Sequence, residues 1–218
     1  MANKTIEDRL NEGRQYRNID VTNFERRTEG EEGNSEKIVS GYATTFNDPY
    51  ILWTEPGYVI REQIDRAAFD ECDMSDVIMQ YNHEGRVFAR TGNGTLELRT
   101  DETGLHIRAK LDGTDLGRDV YEEIEGGYTT KMSFGFRVGE DKREVTEDHK
   151  NNTVTVLRTI TKISKLFDVS AVSIPANDAT SISARSYVDG LIDELKQERL
   201  AAEKRERQRA TIKLLCEL

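Results

Sequence analysis

The strongest constraint on how this chain can fold is a repeat of two residues. In Gly104–Leu111 the apolar Leu105, Ile107, Ala109 and Leu111 alternate with His106, Arg108 and Lys110, the pattern of a strand with one face in a core and the other in water. β-Forming segments bounded by turn residues recur at Tyr16–Arg26, Lys37–Phe46, Tyr58–Ile64, Asp76–Asn82, Gly94–Arg99, Thr130–Val138, Thr153–Ile163 and Lys165–Ser173. The run from Glu29 to Asn34 reads as a solvated loop, Gly92-Asn93-Gly94 as a turn, and the acidic stretch Gly139–Asn152 as a long hairpin tip. Helical signals are few. Arg66–Cys72 is a short one. A better one is capped by Thr114 or Asp115, repeats Leu116, Val120 and Ile124 every fourth residue, and stops at Gly126-Gly127. Many strands adjacent in sequence with few helices predict a mainly β fold, an antiparallel barrel or sandwich with helices around it.

Three parts follow from the change of pattern along the chain. Residues 1–14, polar and without a clear period, read as a flexible arm or short helix, 15–186 as the folded domain, and 187–218 as a charged helical tail. The tail balances seven acidic against seven basic side chains, its apolar stripe (Leu191, Leu195) fading into Lys196–Arg209, so the net charge of −10 belongs to residues 1–186. An acidic domain is ill suited to neutralising phosphates, which argues against direct nucleic-acid binding. No apolar run reaches the length of a membrane span, and the first residues lack the apolar core of a secretory signal. The two cysteines, Cys72 and Cys216, lie far apart and fit free thiols in a reducing compartment. Acidic neighbours would raise the Cys72 thiol, and Cys216 lies in the tail, so thiol catalysis is disfavoured. The three histidines, His83, His106 and His149, share no metal-ligand spacing. With no phosphate-cradling glycine loop and no Gly-x-Ser-x-Gly elbow, any chemistry rests on side chains alone, without metal or cofactor.

Three segments can carry chemistry, and each has a second reading. His83 ends the apolar strand Val77–Asn82 before Glu84-Gly85, where it can serve as a general base at the lip of a β-core or simply bond a loop carbonyl. In Lys131–Phe136, Met132, Phe134 and Phe136 take one face, leaving Ser133 and Gly135 on the other with room for a substrate backbone. Ser133 is a nucleophile only with a base beside it; otherwise its hydroxyl bonds across the sheet. In Leu166–Ser173, Asp168 and Ser170 face away from Phe167, Val169 and Ala171. A carboxylate in so apolar a strand needs a partner, and an imidazole or a neighbouring Arg or Lys would serve equally.

Together these segments resemble the prohead proteases of tailed bacteriophages, capsid-maturation serine proteases whose fold is related to herpesvirus assemblin. The resemblance runs from about Ile38 to Arg185 through Gly41-Tyr42-Ala43, Tyr81-Asn82-His83-Glu84, Gly104-Leu105-His106-Ile107, Met132–Phe136, and Phe167–Ser170 leading into Pro175-Ala176-Asn177. Two positions depart from the family: Glu84 stands where Asp is common, and Asp168 where Glu is common, shortening the reach by one methylene. The resemblance implies an endopeptidase inside the assembling prohead in the host cytoplasm, not secreted. Its partners would be the major capsid protein, whose scaffolding part it cuts, and itself, by autoprocessing or self-association.

The resulting expectation is a serine endopeptidase with Ser133 as nucleophile, His83 as base and Asp168 orienting the imidazole. The oxyanion donors are expected from the backbone N–H groups of Ala176 and Asn177, because Pro175 cannot donate. The alternative is a scaffold or capsid-lining protein of the same fold without catalysis.

Overall fold

The computed structural model describes residues 14–19, 25–29, 36–172 and 182–216. Its spine is a pair of long antiparallel strands, β10 (Lys131–Asp148) and β11 (Thr153–Val172), joined by a tight turn. The acidic stretch expected to form a hairpin tip is therefore mostly strand. Charged residues 140–148 continue the ladder opposite 153–162, since an exposed ribbon tolerates charge as readily as a loop does.

The other strands are β1 (Arg14–Ile19), β2 (Glu25–Glu29), β3 (Glu36–Thr45), β4 (Tyr50–Glu55), β5 (Tyr58–Ile64), β6 (Ile78–Tyr81), β7 (Glu84–Arg90), β8 (Leu96–Thr100) and β9 (Gly104–Lys110). Among the described residues two α-helices, α1 (Asp115–Glu125) and α2 (Ile182–Cys216), join the strands in a mainly β architecture. Helix α1 follows its sequence signals closely: the Thr114 hydroxyl accepts from Gly117 N–H at 3.0 Å, and Gly126 closes the last turn. β4 is not among the expected strands, although Tyr50-Ile51-Leu52-Trp53 precedes Pro56-Gly57; Gly57, with φ +85°, turns this strand into β5.

Hydrogen bonding sorts the strands into two sheets, and neither closes on itself among the described residues. One runs β2-β3-β9-β8; the other runs β1-β10-β11-β5-β4, with β6 attached to β11 and β7 to β6. The pairing is mainly antiparallel, as expected, but the closed barrel is not seen among the described residues and two of the pairings are parallel. β11 pairs parallel with β5 through Val154–Ile160 and parallel with β6 through Asp168–Ala171. Period-two patterning reports which face is buried and is blind to strand direction. Continuous burial from Asp168 to Val172 is what a strand with neighbours on both edges and cover on both faces shows.

The main core lies between the two sheets and α1, around Val39, Leu105, Ile107, Met132, Phe134, Phe136 and Ile163. Each such fully buried side chain contributes about 1.5–3 kcal/mol. A second cluster joins Leu52, Ile60, Val154 and Val156 to Val188, Leu191 and Ile192 of α2. These helix positions, with Leu195, recur at the spacing of one helical face. Helix α2 is docked through Val188, Leu191 and Ile192. Beyond them Leu200 and Ile212 are exposed.

Candidate active site

β10 supplies Ser133, β11 supplies Asp168, and the β6–β7 turn supplies His83. In the β10–β11 ladder Gly135 faces Asp168 and Ser133 faces Ser170, so both polar pairs share the face away from Met132, Phe134 and Phe136. A side chain at Gly135 would collide with Asp168, because an added Cβ would lie 2.3 Å from its Oδ2. The room expected at Gly135 therefore admits the carboxylate, and the substrate backbone has no claim on it.

His83 reaches the pair through its turn. Tyr81 pairs with Glu84, leaving Asn82 and His83 as a two-residue hairpin loop with φ of +51° and +62°. Positive φ at both positions is the primed geometry that matches strand twist. It places the turn at Asn82-His83, two residues before the Glu84-Gly85 turn expected from sequence. A non-glycine residue held there costs on the order of 1–3 kcal/mol, a strain of the kind that collects at functional sites. The Asn82 N–H donates to the Ala171 carbonyl at 2.9 Å, tying the turn to β11 beside Asp168.

The three side chains meet. His83 Nδ1–H donates to Asp168 Oδ1 at 2.6 Å, which leaves Nε2 facing Ser133 Oγ at 2.6 Å. Asp168 is fully buried, and the His83 side chain retains 14% exposure. Ser170 Oγ–H donates to Asp168 Oδ1 at 2.9 Å, and Arg14 of β1 pairs with Oδ2. Burial pushes the Asp168 carboxyl up, but the His83 bond and charge, Arg14 and Ser170 outweigh it and hold the group below the ordinary aspartate range. An ionised, fully bonded carboxylate can fix one histidine tautomer and stabilise its protonated form. The imidazole can then take a proton from Ser133, so the cluster has the parts for acyl transfer.

Two readings left open by the sequence hold at once. Asp168 has both an imidazole and an arginine as partners. Ser133 faces both His83 and, across the sheet, the Arg17 carbonyl of β1 at 2.9 Å. The hydroxyl has one proton, so donation to Nε2 and donation to the carbonyl are alternatives. The expected oxyanion donors Ala176 and Asn177 lie outside the described residues. His106 packs edge-on to Tyr42 in the other sheet, and His149 is exposed on the hairpin, both away from this cluster. Cys72 is a free thiol, pushed up to about 11 chiefly by burial.

Sequence reasoning misses β1's part in the site. Tyr16 lies against the His83 ring, centroids 4.3 Å apart, and the Arg14 guanidinium covers the Tyr16 and Phe167 rings. Arg17 is wholly buried against Glu62. One signal was available: Ile60, Glu62 and Ile64 share a strand face, as do Val156, Arg158 and Ile160, so each stripe carries one charge among apolar side chains. Nothing in the polar run around Arg14 to Arg17 marks it as buried.

The chain is 26% identical over 174 residues to the prohead protease of enterobacteria phage HK97, covering 79% of this chain and 69% of that protein. A likeness to the bacteriophage T4 capsid assembly protease, at 10% identity, covers 74% of this chain and 99% of that one with a TM-score of 0.40. The profile of the caudovirus prohead serine proteases matches residues 22–191, a span that holds His83, Ser133 and Asp168, and the chain belongs to that family.

Proposed function

We propose that this chain is the endopeptidase of capsid maturation, cutting the scaffolding part of the major capsid protein and itself inside the prohead. The observation that carries the reading is His83 bridging Ser133 and Asp168 with two 2.6 Å contacts. Ser133 Oγ attacks the scissile carbonyl carbon as its proton passes to His83 Nε2. Asp168, accepting from Nδ1–H, stabilises the imidazolium, which then protonates the leaving amine. Water hydrolyses the acyl-enzyme by the same relay. The N–H groups of Ala176 and Asn177 are the proposed oxyanion donors.

The test is mass spectrometry of the full chain, incubated alone and with its capsid precursor. Ser133→Ala and His83→Ala should each abolish cleavage while the fold is retained. Asp168→Asn should slow it by about four decades, the cost of holding the histidine of a serine-protease triad in the wrong tautomer. Cleavage by Ser133→Ala at the unmodified rate would rule out the serine mechanism.

A further inference from the structure

β1 lies along β10 in antiparallel register, Arg14 opposite Arg137 through Ile19 opposite Met132. It brings the Arg17 carbonyl within 2.9 Å of Ser133 Oγ, and Ser133 is fully buried beneath it. A segment added as an edge strand beside a nucleophile is how an extended peptide presents a backbone bond for attack. β1 also precedes residue 22, where the family match begins.

The Arg17 side chain enters a built pocket. Its Nε and Nη2 form a fork on the two Glu62 oxygens, with Nη2 to Oε2 at 2.9 Å. Nη2 also donates to Gln15 Oε1 at 2.8 Å, and the guanidinium lies 5.6 Å from the Phe136 ring centre. Glu62 is itself held by the Tyr50 hydroxyl at 2.6 Å and Arg158 Nη1 at 2.8 Å, and Arg158 reaches Asp141 as well. Burial pushes Glu62 up, yet Arg17, Arg158 and Tyr50 hold it below the ordinary range, so it is ionised where it meets Arg17. With Arg17 gone, Glu62 and Asp141 would face Arg158 alone among these groups. A buried pocket left with excess negative charge selects a cation, and the planar fork on Glu62 favours guanidinium over ammonium.

We infer that β1 is the enzyme's own first substrate, that the Glu62 pocket recognises arginine on the acyl side of the scissile bond, and that the bond cut is Arg17–Asn18. This rests on the serine-peptidase reading above. Ser133 Oγ bonds to the Arg17 carbonyl carbon and its proton moves to His83. The Arg17–Asn18 C–N bond breaks, and the Asn18 nitrogen takes that proton. Water then releases residues 1–17 with a C-terminal carboxylate and restores Ser133. Departure of the fragment frees the β10 edge and the Glu62 pocket for a substrate strand from another chain.

The experiment follows the full chain by intact mass and N-terminal sequencing, with Ser133→Ala as the uncut reference. A new N-terminus at Asn18 is expected. Arg17→Ala and Arg17→Glu should slow its appearance about a hundredfold or more, and Arg17→Lys by about tenfold. Because these changes also disturb a buried ion pair, the incubated wild-type chain is given peptides spanning residues 12–22 with Arg, Lys, Ala or Glu at position 17. The same order of rates is expected, and Glu62→Gln should flatten it. Ser133-dependent cleavage elsewhere, or with no preference for arginine, overturns this inference and leaves the serine peptidase standing. Absence of any Ser133-dependent cleavage, in the chain or the peptides, removes both.

Discussion

Gly135→Ala offers the sharpest test of how the site is assembled, since it adds one methyl group and changes no catalytic atom. The new Cβ would lie 2.3 Å from Asp168 Oδ2 and 3.0 Å from both Arg14 Nε and Tyr16 Cε1. Carbon and oxygen approach to roughly 3.3 Å even in weak C–H···O contacts, so the carboxylate must retreat by about 1 Å. That retreat loosens the Arg14 pair on Oδ2 and draws Oδ1 away from His83 Nδ1 and Ser170. A displacement of about 1 Å in a catalytic array costs on the order of a hundredfold in rate, and a carboxylate swung fully away approaches the roughly four decades of a lost triad acid. Overpacking by one methyl should also remove about 1–3 kcal/mol of stability. Self-cleavage rates and cleavage of an added peptide give the first number, and urea unfolding in a Ser133→Ala background gives the second. A Gly135→Ala chain with unmodified rate and stability would refute the packing of Asp168 against Gly135 on which the assembly of the site depends.

The hairpin turn gives a second expectation: Asn82→Val should destabilise by about 1–2 kcal/mol and slow cleavage, whereas Asn82→Gly should fold normally, because only the latter accepts φ of +51° freely. For pH, Asp168 and Glu62 both have folded pKa values held below the unfolded ones. Their stabilising contribution is fully present above about pH 5, clear of the unfolded values, and is lost as pH falls through the lowered folded values. Urea midpoints of Ser133→Ala should therefore show no loss from these groups between about pH 7 and 5 and a decline below about 4, smaller when Asp168→Asn is added. Finally, ending the chain after Gln197 should keep the Val188, Leu191 and Ile192 contacts and the fold. Ending it after Arg185 strips the cover from Leu52, Ile60, Val154 and Val156 and should cost several kcal/mol, on the scale of about 2–5 for each large side chain removed. Thermal melts of the two truncations check this.

Much of the site is legible in the chain because its signals are local. Ser133 and Asp168 are polar residues on apolar strands, and alternation alone says that they leave the core face together with Gly135 and Ser170. The end of an apolar strand marks His83, and capping and glycine mark α1 to within a residue. Local pattern fails where the deciding contact is distant in sequence. It cannot say that β11 runs parallel to β5 and β6, since direction depends on how the chain returns and leaves no trace in a period of two. It reads the charged ribbon 139–148 only as part of a long hairpin tip, because exposure on a strand and exposure in a turn look alike.

What the sequence determined by itself is the chemistry available: a hydroxyl, an imidazole and a carboxylate on β elements, in an acidic chain. Tertiary structure alone decided their meeting and their cover. Asp168 packs on Gly135 only through the β10–β11 register, and His83 arrives only because β6 lies beside β11. The polar run Arg14–Ile19 carries no apolar pattern of its own. It is held in place because two arginines, the half-buried Arg14 and the buried Arg17, find carboxylates, Asp168 and Glu62, that lie 154 and 45 residues away along the chain. Charge pairing across such distances is set by the folded geometry, which composition and periodicity do not encode.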